Sequence, residues 1–175
     1  MKQIFFTLLC GTLLSQSSVA DSRASVDEVI KSSFAGVSTI DPKQIILTKE
    51  QFSQVQSRAK AAVRTKVYRY YDIKGKTERL GYAVLIARKV RAKKATVLYV
   101  FDNYGRLKFT EIMAFGEPPE YIPNKTWMGQ LQDKDASATL TVGKDIPTIS
   151  GSTLSARSIT EGARVARAIY EIILK

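Results

Sequence analysis

The stretch 78–101, ERLGYAVLIARKVRAKKATVLYVF, decides the fold class of this chain. Its two ends are rich in β-branched and aromatic residues, and its basic middle is typical of a turn between two strands. Runs of similar composition, bounded by turn residues such as Gly75 and Gly105, lie before and after it. The four predicted strands are 65–73, 78–87, 94–101 and 106–115. Because the connections between them are short, the strands should form an antiparallel meander.

Two capping boxes predict two helices before this sheet. The residues that form them are Ser25 with Glu28, and Thr48 with Gln51. The second helix should run to about Val63, and Pro42 should interrupt the stretch between the two helices. The region 21–64 is therefore predicted to be helical.

The chain after the sheet should contain three more elements. A proline-rich loop leads to a short helix around Trp127, and residues 137–142 are expected to form one more strand. The last helix should begin near Ser155–Ser158, because Ser158 and Glu161 have capping-box spacing. Apolar residues at spacings of four and three should then pack that helix on the sheet. This stripe consists of Ile159, Ala163, Ala166, Tyr170 and Ile173. The predicted fold class is α+β, a single domain whose antiparallel sheet is packed by N-terminal helices and a long C-terminal helix.

The pattern of residues 1–20 is that of a secretory signal peptide. Lys2 supplies the positive start, residues 4–14 are apolar, and Ser18 and Ala20 form a small-x-small cleavage site. A membrane-spanning helix needs roughly 20 apolar residues, and this run has fewer. We therefore expect cleavage after Ala20, export to the periplasm, and a mature protein without a retained membrane anchor.

Composition excludes several kinds of chemistry. The chain has no histidine, and its single cysteine, Cys10, lies in the predicted signal peptide. A Ser-His-Asp triad, a histidine-based zinc site and thiol catalysis are therefore ruled out, and neither catalytic residues nor a metal site are predicted.

The charge balance favours acidic partners. The chain has 27 Lys and Arg against 16 Asp and Glu, a net charge of +11. Lipid head groups, nucleic acid and acidic proteins all suit such a surface. The basic run 88–94 is interpreted either as a solvated hairpin tip or as a docking patch for an acidic redox partner.

The stretch ISGST, 149–153, precedes the last helix. Gly151 lets the backbone turn sharply, and unpaired N–H groups at a helix start attract anions such as phosphate. An exposed helix end contributes only roughly 0.3–1 kcal/mol, which would not retain a ligand. An ester bond between the phosphate and the hydroxyl of Thr153 would retain the ligand in spite of this weak affinity. A helix-initiating turn without further function is the plainer alternative.

The segment 145–171, DIPTISGSTLSARSITEGARVARAIYE, resembles the C-terminal signature of the FMN-binding domain family. That family includes the flavinylated subunits of the Na⁺-translocating NADH:quinone reductase and of the Rnf complex. In it, FMN is joined through its phosphate to the last Ser or Thr of the motif, here Thr153, with Ser150, Gly151 and Ser152 before it. An envelope flavin transferase that uses FAD as donor makes this bond. The resemblance extends over 65–175, which is thereby expected to be an FMN-binding domain.

The resemblance also implies contacts of the flavin upstream of the motif. Glu117 should hydrogen-bond the flavin or its ribityl chain, or else lie in a surface turn. Tyr121 and Trp127 should stack on or border the isoalloxazine ring, or else cover an edge of the core, and Gln130 should lie nearby.

The sequence departs from the family motif at two positions. Ser152 replaces an alanine and adds a second hydroxyl, and Pro147 replaces an aspartate. Asp145 lies two residues earlier and would share the same face of an extended segment, so we expect it to substitute partly for that aspartate. Without this substitution, FMN would be bound non-covalently or not at all.

The resemblance implies an exported flavoprotein that carries FMN and transfers electrons in the cell envelope. Its partners would be the FAD-dependent flavin transferase and redox proteins or a quinone pathway, with contact to the membrane surface and no nucleic acid. Such a protein is a carrier rather than a stand-alone enzyme, because the cofactor supplies the chemistry. The alternative from another class is a cationic exported binding module for anionic surfaces or polymers that has lost the flavin.

Overall fold

A computed structural model describes residues 25–175, so the predicted signal peptide lies outside the described residues. The helices are α1 (Val26–Ser33), α2 (Lys49–Ala59), α3 (Lys125–Gly129) and α4 (Thr153–Ile169). The strands are β1 (Thr39–Ile46), β2 (Val67–Lys74), β3 (Arg79–Lys89), β4 (Lys94–Asp102) and β5 (Leu107–Phe115). A 3₁₀ turn at Pro119–Tyr121 precedes α3, and a π-helical turn at Tyr170–Leu174 follows α4.

The five strands form one antiparallel sheet in the order β1-β2-β3-β4-β5. The four strands predicted from sequence are confirmed, and the α+β fold class with them. β1 was missed, because its sequence TIDPKQII is polar and contains Pro42. Proline is tolerated there because β1 is an edge strand, so a missing N–H on its outer side costs no ladder bond. The described part of the region predicted to be helical, residues 25–64, therefore contributes a strand to the sheet as well as two helices.

Both faces of the sheet are covered. On one face, Tyr82, Val84 and Tyr99 pack in a core with α2 and α4. On the other face, Ala83 and Leu98 pack with Val29 and Ile30 of α1. The central strands β3 and β4 are buried on both sides, which explains why their sequences are continuous apolar runs rather than alternating ones.

α4 begins at Thr153, earlier than the predicted start at Ser155–Ser158. The predicted capping box is wrong: Ser158 lies inside the helix, and its hydroxyl donates to the carbonyl oxygen of Lys89 at 3.2 Å. Glu161 forms an ion pair with Arg88, so Arg88 is not part of a solvated hairpin tip. The apolar stripe is confirmed, since all of its members except the half-buried Ile173 are buried.

The two N-terminal capping boxes are confirmed at Ser25 and Thr48. α2 ends at Ala59 rather than near Val63, because Lys60 adopts a left-handed conformation with φ 47°. The prediction of a strand at 137–142 is wrong. Leu140 has φ 49° there, and the segment folds into turns around a carboxylate described below.

Within 25–175, none of the helices combines the length and the apolar character that crossing a membrane requires.

Candidate functional site

Thr153 is the first residue of α4, and it is exposed. Its hydroxyl donates to the carbonyl oxygen of Ile149 at 2.9 Å. The neighbouring hydroxyl of Ser152 is buried, with 6 % of the residue exposed, and points at the carbonyl oxygen of Glu120, 3.5 Å away. Of these two hydroxyls, only that of Thr153 belongs to an exposed residue.

The start of α4 lacks the side-chain cap that the other described α-helices have. Ser25, Thr48 and Asn124 each accept a backbone N–H at the starts of α1, α2 and α3. Ser152 occupies the corresponding position of α4 without such a bond, and the first turn of α4 contains no acidic residue. The first N–H groups of a 17-residue helix are thus left without a side-chain acceptor and with the positive end of the helix dipole.

Gly151 has φ +77°, a conformation that other residues adopt only with strain. A Cβ atom at this position would meet no atom within 4 Å. Gly151 therefore provides the left-handed turn into α4 and leaves open space beside Thr153.

A cavity of about 230 Å³ lies at this helix start and is lined by Arg91, Tyr121 and residues 151–155. We call it the motif cavity. The guanidinium of Arg91 lies 4.6 Å from the centre of the Tyr121 ring. The hydroxyl of Ser155 is buried and has no hydrogen-bond partner in the described part of the chain. The motif cavity thus combines a cation, uncapped helical N–H groups and an unsatisfied hydroxyl, which together suit an anion.

A larger cavity of about 540 Å³ lies between β5 and α3. We call it the β5–α3 cavity. Phe109, Ile112 and Met128 give it apolar walls. The hydroxyl of Thr110, which also lines it, is buried, and none of the described residues forms a hydrogen bond with it. The loop 121–123 lies between the two cavities, because Tyr121 lines the motif cavity and the next two residues line the β5–α3 cavity.

Glu117 binds the β3–β4 turn. One of its carboxylate oxygens accepts the backbone N–H groups of Arg91, Ala92 and Lys93 at 2.7–2.9 Å. These bonds, led by that of Lys93, lower the pKa of Glu117. The structure therefore places Glu117 in the turn, where it fixes the backbone of Arg91, and its expected contact with a flavin stays a prediction.

Asp145 binds the loop before it. Its carboxylate accepts the hydroxyl of Thr139 at 2.6 Å and the N–H groups of Leu140 and Thr141 at 2.8 Å. Burial raises the pKa of Asp145, but these hydrogen bonds outweigh burial and lower it to about 2. The carboxylate thus holds the strained turn at Leu140, and Asp145 does not line the motif cavity.

Replacing Asp145 by asparagine is expected to lower the free energy of unfolding by about 2 kcal/mol at pH 7, since hydrogen bonds to a charged group are lost. The folded pKa of about 2 lies below the unfolded value of about 3.9. The contribution of the carboxylate is therefore complete above about pH 4 and is lost as the pH falls towards 2. Urea unfolding at pH 7, 4 and 3 measures this, and the difference between wild type and variant should shrink over that range.

The exposed Asp133, replaced by asparagine, is the matched control and should change stability by less than about 0.5 kcal/mol. An Asp145→Asn variant as stable as this control at pH 7 would contradict the structural role of the carboxylate.

Trp127 and Gln130 are expected flavin contacts that the structure places apart from the motif cavity. Trp127 is 5 % exposed in the core, and its indole N–H donates to the carbonyl oxygen of Pro147 at 2.8 Å. This bond ties α3 to the segment before the motif. Gln130 is exposed at the end of α3. Neither residue lines the motif cavity or the β5–α3 cavity.

Of the predicted site residues, the structure brings Gly151, Ser152, Thr153 and Tyr121 to one cavity, and the exposed Ser150 directly precedes it. The expected roles of these residues stay predictions. Sequence reasoning missed Arg91 and Ser155 as members of the site. The basic run 88–94 gave a partial signal for Arg91, but only the turn held by Glu117 decides which of its residues faces the motif.

Comparison with protein-family models gave no match to this chain, and no curated protein matches it.

Proposed function

We propose that the protein is an exported flavoprotein that carries FMN, joined by a phosphoester to Thr153, and transfers electrons in the cell envelope. The observation that carries the proposal is the position of the Thr153 hydroxyl. It is exposed at the uncapped start of α4, in a cavity with the guanidinium of Arg91.

The residues of the motif cavity fit a phosphate ester. Arg91 would balance its charge, the first N–H groups of α4 would donate to its oxygens, and the unsatisfied hydroxyl of Ser155 would gain a partner. Gly151 leaves room for the group, because no atom lies where a Cβ would be. The ring of Tyr121 packs against the guanidinium of Arg91, and the two residues after Tyr121 line the β5–α3 cavity.

FMN when bound would supply the one- or two-electron redox chemistry that the side chains of this chain cannot supply. The chain would bind, orient and shield it. Thr153 Oγ1 would hold the FMN phosphate as an ester; its formation would break the phosphoanhydride bond of FAD, release AMP and pass the hydroxyl proton to the transferase. The chain has no histidine, and the described residues that line the motif cavity include no carboxylate, which accords with activation of Thr153 by a separate enzyme.

The proposal is tested on protein isolated from cells that contain the flavin transferase. Mass spectrometry of a proteolytic digest should show the peptide with Thr153 heavier by FMN minus one water. The denatured and desalted protein should keep its yellow absorption. A colourless protein with an unmodified Thr153 peptide would overturn the proposal.

The second candidate is a cationic binding module for anionic surfaces. The net charge of +11 favours this function, because it attracts anionic surfaces. The hydrogen bonds of Asp145 within its own loop favour it as well, because they leave the motif without a free carboxylate. Binding to anionic vesicles that weakens steeply with salt, by a protein that never carries flavin, would support this function instead.

A further inference from the structure

A third cavity, of about 350 Å³, lies at the opposite end of α4, between the end of α2 and the loop 136–144. We call it the α2–α4 cavity. Five cationic side chains line it, and Glu171 is its single carboxylate. The cations are Arg58, Lys60, Lys144, Arg164 and Arg167. Such an excess of positive charge in a concave surface attracts anions.

Arg167 is the most unusual member of this lining. It is 4 % exposed, and its Nη1 donates to the carbonyl oxygen of Ala138 at 2.6 Å. Its Nε and Nη2 atoms are buried and have no hydrogen-bond partner among residues 25–175. A buried guanidinium in this state is unfavourable, and the burial lowers the pKa of Arg167.

The two unpartnered nitrogens form one edge of the guanidinium, the fork that binds two oxygens of an anion side by side. Arg79 of the same chain uses this edge on Asp72, with Nε and Nη2 at 2.8 and 3.3 Å from the two carboxylate oxygens. At Arg167 the same fork faces no carboxylate.

The carboxylates around Arg167 are engaged elsewhere. Glu171 pairs with Arg58 at 2.6 Å. Asp135 accepts the hydroxyl of Ser137, and Asp145 accepts that of Thr139. None of them bonds the free edge of Arg167 within the part of the chain that the structure describes.

We propose that the α2–α4 cavity binds a tetrahedral oxyanion of the phosphate or sulfate class, with the Nε–Nη2 edge of Arg167 as its principal donor. A dianion balances the local charge better than a monocarboxylate does, because the cations outnumber the single carboxylate by four. Lys60 and Lys144 are exposed and would close over the oxyanion from the solvent side. Arg164 is held in place by the carbonyl oxygens of Ala59 and Leu140 at 3.0 and 2.9 Å.

The site is separate from the motif cavity and does not rest on the proposed flavin. Arg167 follows Thr153 by fourteen residues in α4, which at about 1.5 Å per residue is roughly 21 Å along the helix axis. Failure of one proposal therefore leaves the other standing.

The test uses the full mature protein with inorganic phosphate and sulfate as probes, and chloride and acetate at equal ionic strength as references. Phosphate should raise the thermal unfolding midpoint in a saturable way that chloride and acetate do not reproduce. In ¹⁵N-resolved NMR of wild-type protein, the Nε–H signal of Arg167 should shift with the same saturation curve. A midpoint and a signal that respond equally to all four salts would overturn the proposal.

The decisive variants are Arg167→Met and Arg167→Lys. Both should weaken phosphate binding at least about tenfold, the lysine variant because it keeps the charge but loses the fork. Arg167→Met should also be at least as stable as wild type without phosphate, since it removes an unpaired buried charge. If the methionine variant does not fold, the lysine variant and the wild-type NMR titration still decide.

Two matched controls locate the effect. Arg157→Met removes an exposed arginine from the same helix, and Arg91→Met removes the cation of the motif cavity. Both should keep the phosphate-dependent shift of the Arg167 Nε–H signal, because neither change touches the α2–α4 cavity. A response lost in Arg91→Met but kept in Arg167→Met would place the anion in the motif cavity and overturn the proposal.

Discussion

Replacing Thr153 by valine is expected to leave the polypeptide without covalently bound flavin. Valine has nearly the shape of threonine but no hydroxyl, so no phosphoester can form. The change removes one hydrogen bond to Ile149 from an exposed residue, which should cost less than about 1 kcal/mol of stability. The protein should therefore fold as before, and the flavin absorption of the denatured, desalted protein should fall to background.

Two control variants make this result specific. Ser152→Ala removes the competing hydroxyl, and Thr148→Val makes the same exchange at an exposed threonine outside the motif cavity. Both should keep the covalent flavin, because Thr153 remains. Loss of colour in Ser152→Ala with retention in Thr153→Val would show that Ser152 is the anchor. Retention in all three variants would disprove the assignment of Thr153 as the required anchor.

Replacing Gly81 by alanine is expected to destabilise the fold by about 3 kcal/mol or more. A Cβ at this position would lie 2.0 Å from the carbonyl oxygen of Phe101 and 3.0 Å from the ring of Phe34. The oxygen belongs to the backbone of β4, so it cannot move without disturbing the pairing of Gly81 with Asp102. Overpacking of roughly 1–3 kcal/mol then adds to weakened ladder hydrogen bonds of about 1 kcal/mol each.

Urea unfolding followed by far-ultraviolet circular dichroism measures this loss. The control is Gly129→Ala, where a Cβ would meet no atom within 4 Å. That variant lies in α3 and should be neutral or more stable by up to about 1 kcal/mol, because alanine favours the helix. Equal stabilities of the two variants would mean that the β3–β4 approach is looser than the structure shows.

Local patterns identified most of the elements. The strands β2 to β5 can be predicted because their apolar runs are separated by short turns. The helices α1 and α2 can be predicted because the hydrogen bonds of their capping boxes join residues three positions apart. β1 cannot be predicted from a local pattern of this kind. Its place in the sheet depends on eight residue pairs with β2, which no local propensity of TIDPKQII indicates.

The start of α4 shows the same limit. Ser158 and Glu161 have the spacing of a capping box, yet both side chains bond to the last two residues of β3 instead. The helix extends back to Thr153 because Ser152 supplies the first helical acceptor, the carbonyl that Ala156 binds. Serine and glutamate at this spacing can cap the start of a helix or bond to a neighbouring strand. The sequence alone therefore does not distinguish these two arrangements.

The sequence by itself determined the α+β class, four of the strands, the apolar face of α4 and the position of Thr153 two residues after Gly151, shortly before the predicted last helix. Only the tertiary structure decided that Arg91 and Ser155 join Thr153, that Asp145 serves its own loop, and that one edge of the buried Arg167 guanidinium has no hydrogen-bond partner among residues 25–175. The physical reason is the separation along the sequence of the residues that interact. Caps, turns and periodic faces depend on residues within a few positions of one another, whereas a cavity depends on distant segments that meet only after the sheet and α4 have packed.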